Sequence, residues 1–586
     1  MKLVKTNIDL LHVKKGDEVI FLGTWCLNRN EDFLKERNES HIIPYHWNNR
    51  NKFYEDYNYL SELYEKKLLS LTATLNNIHN VQKDTHYWRI VIGPWLRFSL
   101  DALFDRYESI KLSKNHHNDL IYSISSYNLN DWYARDFSDL WEDFTTDEWN
   151  EVIFSECIKH QKIDHKISNL SCIMPKRDIE NEKGFHINFK RFIRTYLSNI
   201  FLSISRFKKG IIFYKPYIKI SKLLRINIRL KQIPFFWEIL KDDIEESNIN
   251  RSHRNLFIKT SHQNSFEDFF DNLIPYLMPK SYLEDYIKLT YNISKKMPTQ
   301  PKSIFTANAY QADDIFKIWA AEQKDLGVPL IIGQHGGQFG ITKFNQTIDH
   351  QLLISSKFIT WGWTEDLNDN VIPMPSMQLS GNNSIKSTKD GDILCVLSSH
   401  PPYFYCHQSL PVSEQFLSYI EDQFEFINHL DSSNAKILKI RLDSSAPARW
   451  WNLSRLFFLR GLDSSIDRSE DQLWDVIKKS RICISTNNTT VFLETLSRNF
   501  PTIVFWDPIF NEINEDAEEY INLLFEAGIL FYNPCDAAKK INAVVDNIDE
   551  WWFSEEVQVA RETFCDRYAL TCKSWPKEWS NFLNKD

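Results

Sequence analysis

Ser303-Ile-Phe-Thr-Ala-Asn308 is an apolar run of strand length, Asp313 to Lys324 follows with Ile315, Ile318 and Trp319 on a helical period, and Val328-Pro-Leu-Ile-Ile-Gly333 is a second apolar run. Strand, helix, strand at this spacing is a βαβ unit, which places two parallel strands in one sheet. Downstream, the polar stretch Gly381 to Gly391 is the best linker candidate, and beyond it a second series of apolar runs begins. Its strands are expected at Asp392 to Leu397, Ala435 to Leu442, Ile482 to Ser485 and Thr502 to Trp506, separated by helical patterns such as Val412 to Leu430. Two α/β domains with a cleft between them are the natural reading. Upstream, Glu18-Val-Ile-Phe-Leu-Gly23 is expected to be the first strand of an α/β domain, and a helical stretch runs from Phe53 to about Leu75. The Gly93-Pro94 pair is expected to punctuate the pattern before another helix through Tyr107.

The strand ends carry the candidate chemistry, because ligands of open α/β sheets bind beyond the carboxyl ends of strands. The chain has only 15 glycines in 586 residues, against about 7% in average proteins. Four of them fall within Gly333-Gln-His-Gly-Gly-Gln-Phe-Gly340, directly after a strand. Glycine is used where backbone must approach something closely or take positive φ, so His335 stands where a substrate belongs, as a general acid/base or a charge-stabilising donor. A tight turn with a hydrogen-bonded histidine is the bland alternative. The second constellation is Cys483-Ile-Ser-Thr-Asn-Asn-Thr-Thr490 ahead of the helical run from Val491 to Leu496. Free backbone N–H groups and the helix dipole suit Ser485, Thr486, Asn487 and Thr489 to a phosphate, although the same residue types also serve as ordinary N-caps. Glu494, one turn on, is placed to reach ribose hydroxyls or is a solvated helix charge. Ser398, Ser399 and His400 at a proline-stiffened turn, and Arg441 at the end of another strand, complete a candidate nucleotide pocket.

Composition bounds the rest. Lys+Arg 69 against Asp+Glu 78 gives a formal net charge of −9, so the molecule as a whole has no general attraction to nucleic acid. The nine cysteines are odd in number and contain no Cys-x-x-Cys, and no apolar leader or 18-residue apolar run is visible; a reducing cytoplasm is expected. Residues 183–237 hold thirteen Lys/Arg and no Asp or Glu, interleaved with aromatic and aliphatic residues including Phe189, Phe192, Ile211, Ile212, Phe213 and Tyr214. That mixture suits an anionic bilayer or polymer, or a helical insertion whose basic face balances an acidic neighbour. P-loop, Gly-x-Gly-x-x-Gly and His-Glu-x-x-His motifs are absent, and the single Asp-x-Asp, Asp390-Gly-Asp392, lies in the linker, so metal-independent chemistry without a cofactor is expected.

Phe21-Leu-Gly-Thr-Trp-Cys26, His86-Tyr-Trp-Arg-Ile-Val-Ile-Gly-Pro-Trp-Leu96, Gln334 to Gly340, Thr360-Trp-Gly-Trp363, Ser485-Thr with Phe492-Leu-Glu-Thr-Leu496, and Pro501-Thr-Ile-Val-Phe-Trp506 together resemble the transferase family of bacterial O-antigen and capsule gene clusters. That family is similar to the capsule-type transferases of Kdo and nonulosonic acids. The resemblance implies a GT-B-like fold of two Rossmann-like domains, with residues 1–380 on the acceptor side (a helical, basic insertion at about 110–300) and 381–586 holding a CMP-linked sugar. It implies a lipid-linked glycan acceptor on the inner face of the cytoplasmic membrane, with Gln334 and His335 beside the reacting carbon. A UDP- or GDP-hexose transferase, or a non-catalytic assembly component, is the competing expectation. For retention by double displacement the sequence-near carboxylates are Asp313, Asp314 and Glu322, with Asn308 as an orienting hydrogen-bonding group; Asp313 and Asp314 equally suit a helix first turn. Trp25, His86, Trp88 and Arg89 are candidates for acceptor contact or for core packing.

Overall fold

The structure is a computed structural model that describes residues 1–11, 13–14, 16–28, 41–117, 119–172, 210–234, 246–258, 265–365 and 368–585. Two five-stranded, all-parallel sheets organise it. The first contains β5 (Ile211–Phe213), β6 (Ser303–Thr306), β7 (Leu330–Gly333), β8 (Lys357–Thr360) and β9 (Val371–Pro373) in sequential order. The second contains β10 (Asp392–Val396), β11 (Leu438–Arg441), β12 (Ser480–Ser485), β13 (Thr502–Phe505) and β14 (Leu530–Phe531) in the order β11-β10-β12-β13-β14. Every residue of β6, β7 and β13 is buried, as strands covered on both faces must be, and this is why they read as unbroken apolar runs. These are the two Rossmann-like units expected from the sequence.

The N-terminal strands do not join the first of these sheets. β1 (Lys2–Val4) pairs with β2 (Val19–Phe21), β3 (Tyr122–Ser126) pairs with β4 (His165–Ser171), and a parallel bridge between Lys2 and Ile121 links the pairs. Strands β1 to β4 thus form a third parallel group, separate from the two five-stranded sheets. The helices α1 (Arg50–His79) and α2 (Thr85–His116) pack against each other beside it. Gly93-Pro94 does not break α2: the helix runs through both. Gly93 is required by proximity, since a Cβ there would stand 2.7 Å from His350 Cε1 and Tyr64 Oη.

The remaining helices that bear on the site are α3 (Asp147–His160), α4 (Ile220–Arg229), α5 (Asp314–Asp325), α6 (Gln346–Ile354), α7 (Phe416–Asn428), α8 (Thr490–Ser497), α9 (Glu555–Tyr568) and α10 (Trp575–Lys585). The C-terminal helix α10 returns to the first large sheet, where Trp575, Trp579 and Leu583 pack with Ile211, Phe213, Leu223, Ile226 and Phe305. The end of the chain therefore packs on a sheet built from residues 211–373. Of the basic stretch, Lys183, Lys190, Arg191, Arg194, Arg206, Lys208 and Lys209 lie outside the described residues. Ile211, Ile212, Phe213 and Tyr214 are buried strand residues of β5 and its end, which corrects their reading as a surface mixture. No described helix is long and apolar enough to cross a membrane, and all nine cysteines are free.

A helix-interior Gly→Ala change ordinarily stabilises by about 1 kcal/mol. Gly93→Ala is expected to do the opposite and cost about 1–3 kcal/mol, because the buried His350 and Tyr64 rings must shift. Urea unfolding of the two proteins measures this, and a stabilised variant would contradict the packing.

Candidate active site at the domain seam

The second sheet reverses its strand order between β10 and β12, and such a switch point is where open α/β sheets bind ligands. Ser398 and Ser399 follow β10, Ser485 ends β12 and Thr486 and Asn487 follow it, so these sequence candidates are brought together. Thr486 Oγ1 donates to the Val396 carbonyl (3.0 Å) and meets Tyr419 Oη at 2.6 Å. Asn487 Nδ2 donates to Ser398 Oγ, and Thr489 Oγ1 donates to Asn487 Oδ1 at 2.5 Å. Tyr419, from α7, also accepts the Ser398 N–H (3.0 Å). His400 packs against Phe416, and burial lowers its pKa to about 4.

None of Ser485, Thr486 or Asn487 is an N-cap. The N-cap of α8 is Thr489, whose hydroxyl is turned to Asn487, so no side chain caps this helix. First-turn N–H groups of a helix need an acceptor, and the dipole makes that end attract negative charge. Beside them lies Asn488, which sequence reasoning passed over. It is 0% exposed, yet neither Nδ2 nor Oδ1 has a partner among the described residues. A buried unsatisfied amide costs about 1–3 kcal/mol, and such groups are usually satisfied by a ligand, water or ion. The tandem Asn487-Asn488 before a helix was the available signal.

The glycine-rich loop after β7 is laid on this same spot from the other domain. Gly337 N donates to Thr490 Oγ1 (3.2 Å). A Cβ at Gly337 would lie 2.4 Å from the carbonyl carbon and oxygen of Thr489, so only glycine fits. Further along the loop, Thr342 bridges to Ile513, Lys343 N donates to the Glu512 carbonyl (3.0 Å), and Asn514 N donates to the Ile341 carbonyl (2.9 Å). Arg50, at the start of α1, closes the seam with a bidentate pair to Glu512 (2.7 and 2.9 Å).

Gln334 is committed to shaping this loop: its Oε1 accepts from Trp361 N and Trp363 Nε1 (both 2.9 Å) and its Nε2 donates to the Gly336 carbonyl. His335 projects between Tyr217 and Phe339, with ring centroids 6.1 and 5.3 Å away. Its Nδ1 has no partner among the described residues, and burial lowers its pKa to about 4, so it is a neutral imidazole at pH 7. A small cavity of about 20 Å³, room for about one water, opens beside it, lined by Tyr217, Gly333, Gln334, Trp361, Gln378 and neighbours.

Other candidates are occupied. Arg441 donates to Asp467 Oδ2 (2.7 Å) and to the Ser469 and Asp471 carbonyls (2.8 and 2.7 Å), so its guanidinium braces its own domain. Glu494 accepts from Gln378 Nε2 and Trp474 Nε1 (both 2.9 Å), and burial raises its pKa. Asp313 caps α5 through Phe316 N (3.0 Å) and accepts from Tyr214 Oη and Lys215 Nζ (3.0 and 2.7 Å). Asp314 is buried with Lys317, Ser281 and Tyr282, and Glu322 accepts from Tyr87 Oη. Asn308 lies two residues beyond β6, at the N-cap of the short helix Ala309–Ala312, and makes no side-chain cap bond there. The four acceptor candidates do not form one surface. His86, Trp88 and Arg89 lie on the α1–α2 pair, where Trp88 donates to Asn76 Oδ1 (2.9 Å) and Arg89 pairs bidentately with Glu65. Trp25 is buried elsewhere, donating to the Lys5 carbonyl (2.9 Å) and stacked on Phe154. Among the described residues, Glu425, His429 and Cys535 form a group of metal-ligand type at the far end of α7 from Tyr419, the first two exposed and Cys535 half-buried.

Polar strand ends from two parallel α/β units, meeting at an uncapped helix terminus, are the architecture of a two-domain group-transfer enzyme. The chain belongs to the LIC12162 transferase family, whose model matches residues 1–583. No curated protein matches it. Among solved structures, WaaG, a glycosyltransferase involved in lipopolysaccharide biosynthesis, aligns over 64% of this chain and 100% of its own, at 9% identity and a TM-score of 0.30, a likeness too slight to bear on the site.

Two outcomes are expected. Gly337→Ala must part the loop from Thr489 and should cost about 1–3 kcal/mol of stability; an unchanged urea midpoint would mean the seam is looser than this. His335 binds its proton near pH 4 when folded and near 6.5 when unfolded, so its contribution is full above pH 6.5 and is lost as pH falls toward 4. His335→Gln should therefore flatten the fall in stability across that window, and an unaltered acid limb would contradict a half-buried neutral imidazole.

Proposed function

We propose that the protein is a glycosyltransferase that moves an acidic sugar of the Kdo or nonulosonate type from a CMP donor to a lipid-linked glycan at the inner face of the cytoplasmic membrane. The observation that carries this reading is the uncapped N-terminus of α8 with its unpartnered, buried Asn488 at the switch point of the second sheet. In transfer, the bond between the sugar and the CMP phosphate breaks, a bond from an acceptor oxygen to the same carbon forms, and the acceptor hydroxyl loses its proton. The N–H groups of α8 are suited to the phosphate charge that grows as CMP leaves. Neutral His335 is suited to accept or orient the acceptor proton. The three carboxylates weighed as nucleophiles are held by protein partners, which leaves stabilisation of the leaving group as the main contribution of the chain.

A thermal-shift panel of CMP, CDP, UDP and GDP tests the reading. Ligand at about 100-fold above its Kd stabilises by ~2.7 kcal/mol, so CMP alone should raise the melting temperature. A UDP or GDP response would keep the fold and replace the donor, and silence across the panel would remove the reading. Asn488→Ala should leave the free protein as stable or more so, since an unsatisfied amide is removed, while shrinking the CMP response. A purely structural Asn488 would instead lower the stability of the free protein and spare the response.

A further inference from the structure

The loop that borders the cavity at Tyr217 runs directly into α4, and α4 has two unlike apolar faces. Leu223 and Ile226 point inward onto Trp575, Trp579 and Leu583 of α10. On the other side Ile220, Leu224 and Ile228 are 64%, 39% and 74% exposed. Their spacing of four residues makes a single stripe along the helix. Tyr217 before the helix and Ile233 after it are also exposed, at 55% and 51%. Isolated exposed aliphatics need no explanation, but a contiguous group marks a partner surface. Lys219, Arg225, Arg229 and Lys231 flank the stripe, all exposed and none in an ion pair with another described residue. Residues 211–234 contain no Asp or Glu.

The inward side of the helix is fixed. Lys222 Nζ donates to the Gln378 and Ser380 carbonyls at 2.6 and 2.7 Å, tying α4 to the chain that connects the two large sheets. Gln378 also lines the cavity. Aliphatic side chains fringed by cations, on a rigid helix, match the boundary of an anionic bilayer, with the apolar stripe below the phosphates and the Lys and Arg heads among them. Residues 217–233 offer no acidic side chain that a protein partner could pair with, and the exposed neutral hydrogen-bonding groups among them are Tyr217 and Ser221.

We propose that the outer face of α4, from Tyr217 to Ile233, is the surface by which this protein docks on an anionic lipid leaflet, with the cavity beside His335 opening at the lipid boundary. This rests on the lipid-linked acceptor reading for its purpose, while membrane binding itself is measured without donor or acceptor. Flotation of the full chain with phosphatidylcholine vesicles, with and without phosphatidylglycerol, tests it. Binding to the anionic vesicles is expected, weakening with salt and falling at least tenfold in two separate variants: Ile220→Ser/Leu224→Ser/Ile228→Ser and Arg225→Glu/Arg229→Glu. Ile228→Glu alone serves if the triple variant melts early. The CMP-induced thermal shift should survive in all of them, since none touches the switch point. Absence of binding to anionic vesicles, or binding unchanged in both variants, would overturn the proposal, as would a parent protein that is dimeric by light scattering and becomes monomeric in the triple variant. A silent nucleotide panel with vesicle binding intact would remove the donor reading and leave this one standing.

Discussion

The close approach of Gly337 to the carbonyl of Thr489 is the contact on which the rest of the architecture turns. Two parallel sheets of separate sequence origin meet there, each offering the carboxyl ends of its strands, and the gap between their backbones has no room for a single methyl group. A chain that uses glycine so sparingly spends four on this loop. Around it, the Thr342–Ile513 bridge and the Arg50–Glu512 pair hold the two units in register. The candidate site is therefore a property of the seam and belongs to neither unit alone.

Charge at the seam is handled in an unusual way. The side chains that sequence reasoning assigned to an anion, above all Arg441, are satisfied within their own domain, and Glu494 is held by two N–H donors. Among the described residues of the seam, a helix terminus without a side-chain cap, the amide of Asn488 and His335 Nδ1 stay unsatisfied. On the proposed reading, attraction for negative charge here comes from oriented dipoles, which need no counterion in the free protein. The neutral state of His335 fits the same pattern, as a hydrogen-bonding group kept uncharged by burial.

Much of this was legible in the sequence where one physical signal dominates. Strands β6, β7, β10, β11, β12 and β13 fall where apolar runs lie between polar strand ends, because parallel strands buried on both faces leave no other pattern. The Gly333 to Gly340 loop and the Ser485 to Thr490 segment were legible for the same reason, as strand ends next to glycines or to a helix start. The three-residue strand β5 was not, since its apolar residues sit among cations and look like a surface mixture. Nor was the continuity of α2 through Pro94: a proline in a helix is normally a break, and packing against α1, α5 and α6 outweighs that preference here. Partners such as Asp467 for Arg441, or Trp474 for Glu494, are fixed by tertiary geometry and leave no local trace. The same is true of the separate N-terminal layer, whose strands are individually ordinary.

Hydrogen exchange of the backbone amides, followed with and without CMP, tests most directly the claim that the seam is the donor site. The account predicts slowed exchange at residues 487–492 and in the loop at 335–338, with the segment at 441–445 unaffected. Slowing confined to 441–445, or spread over the α1–α2 pair with none at 487–492, would contradict it.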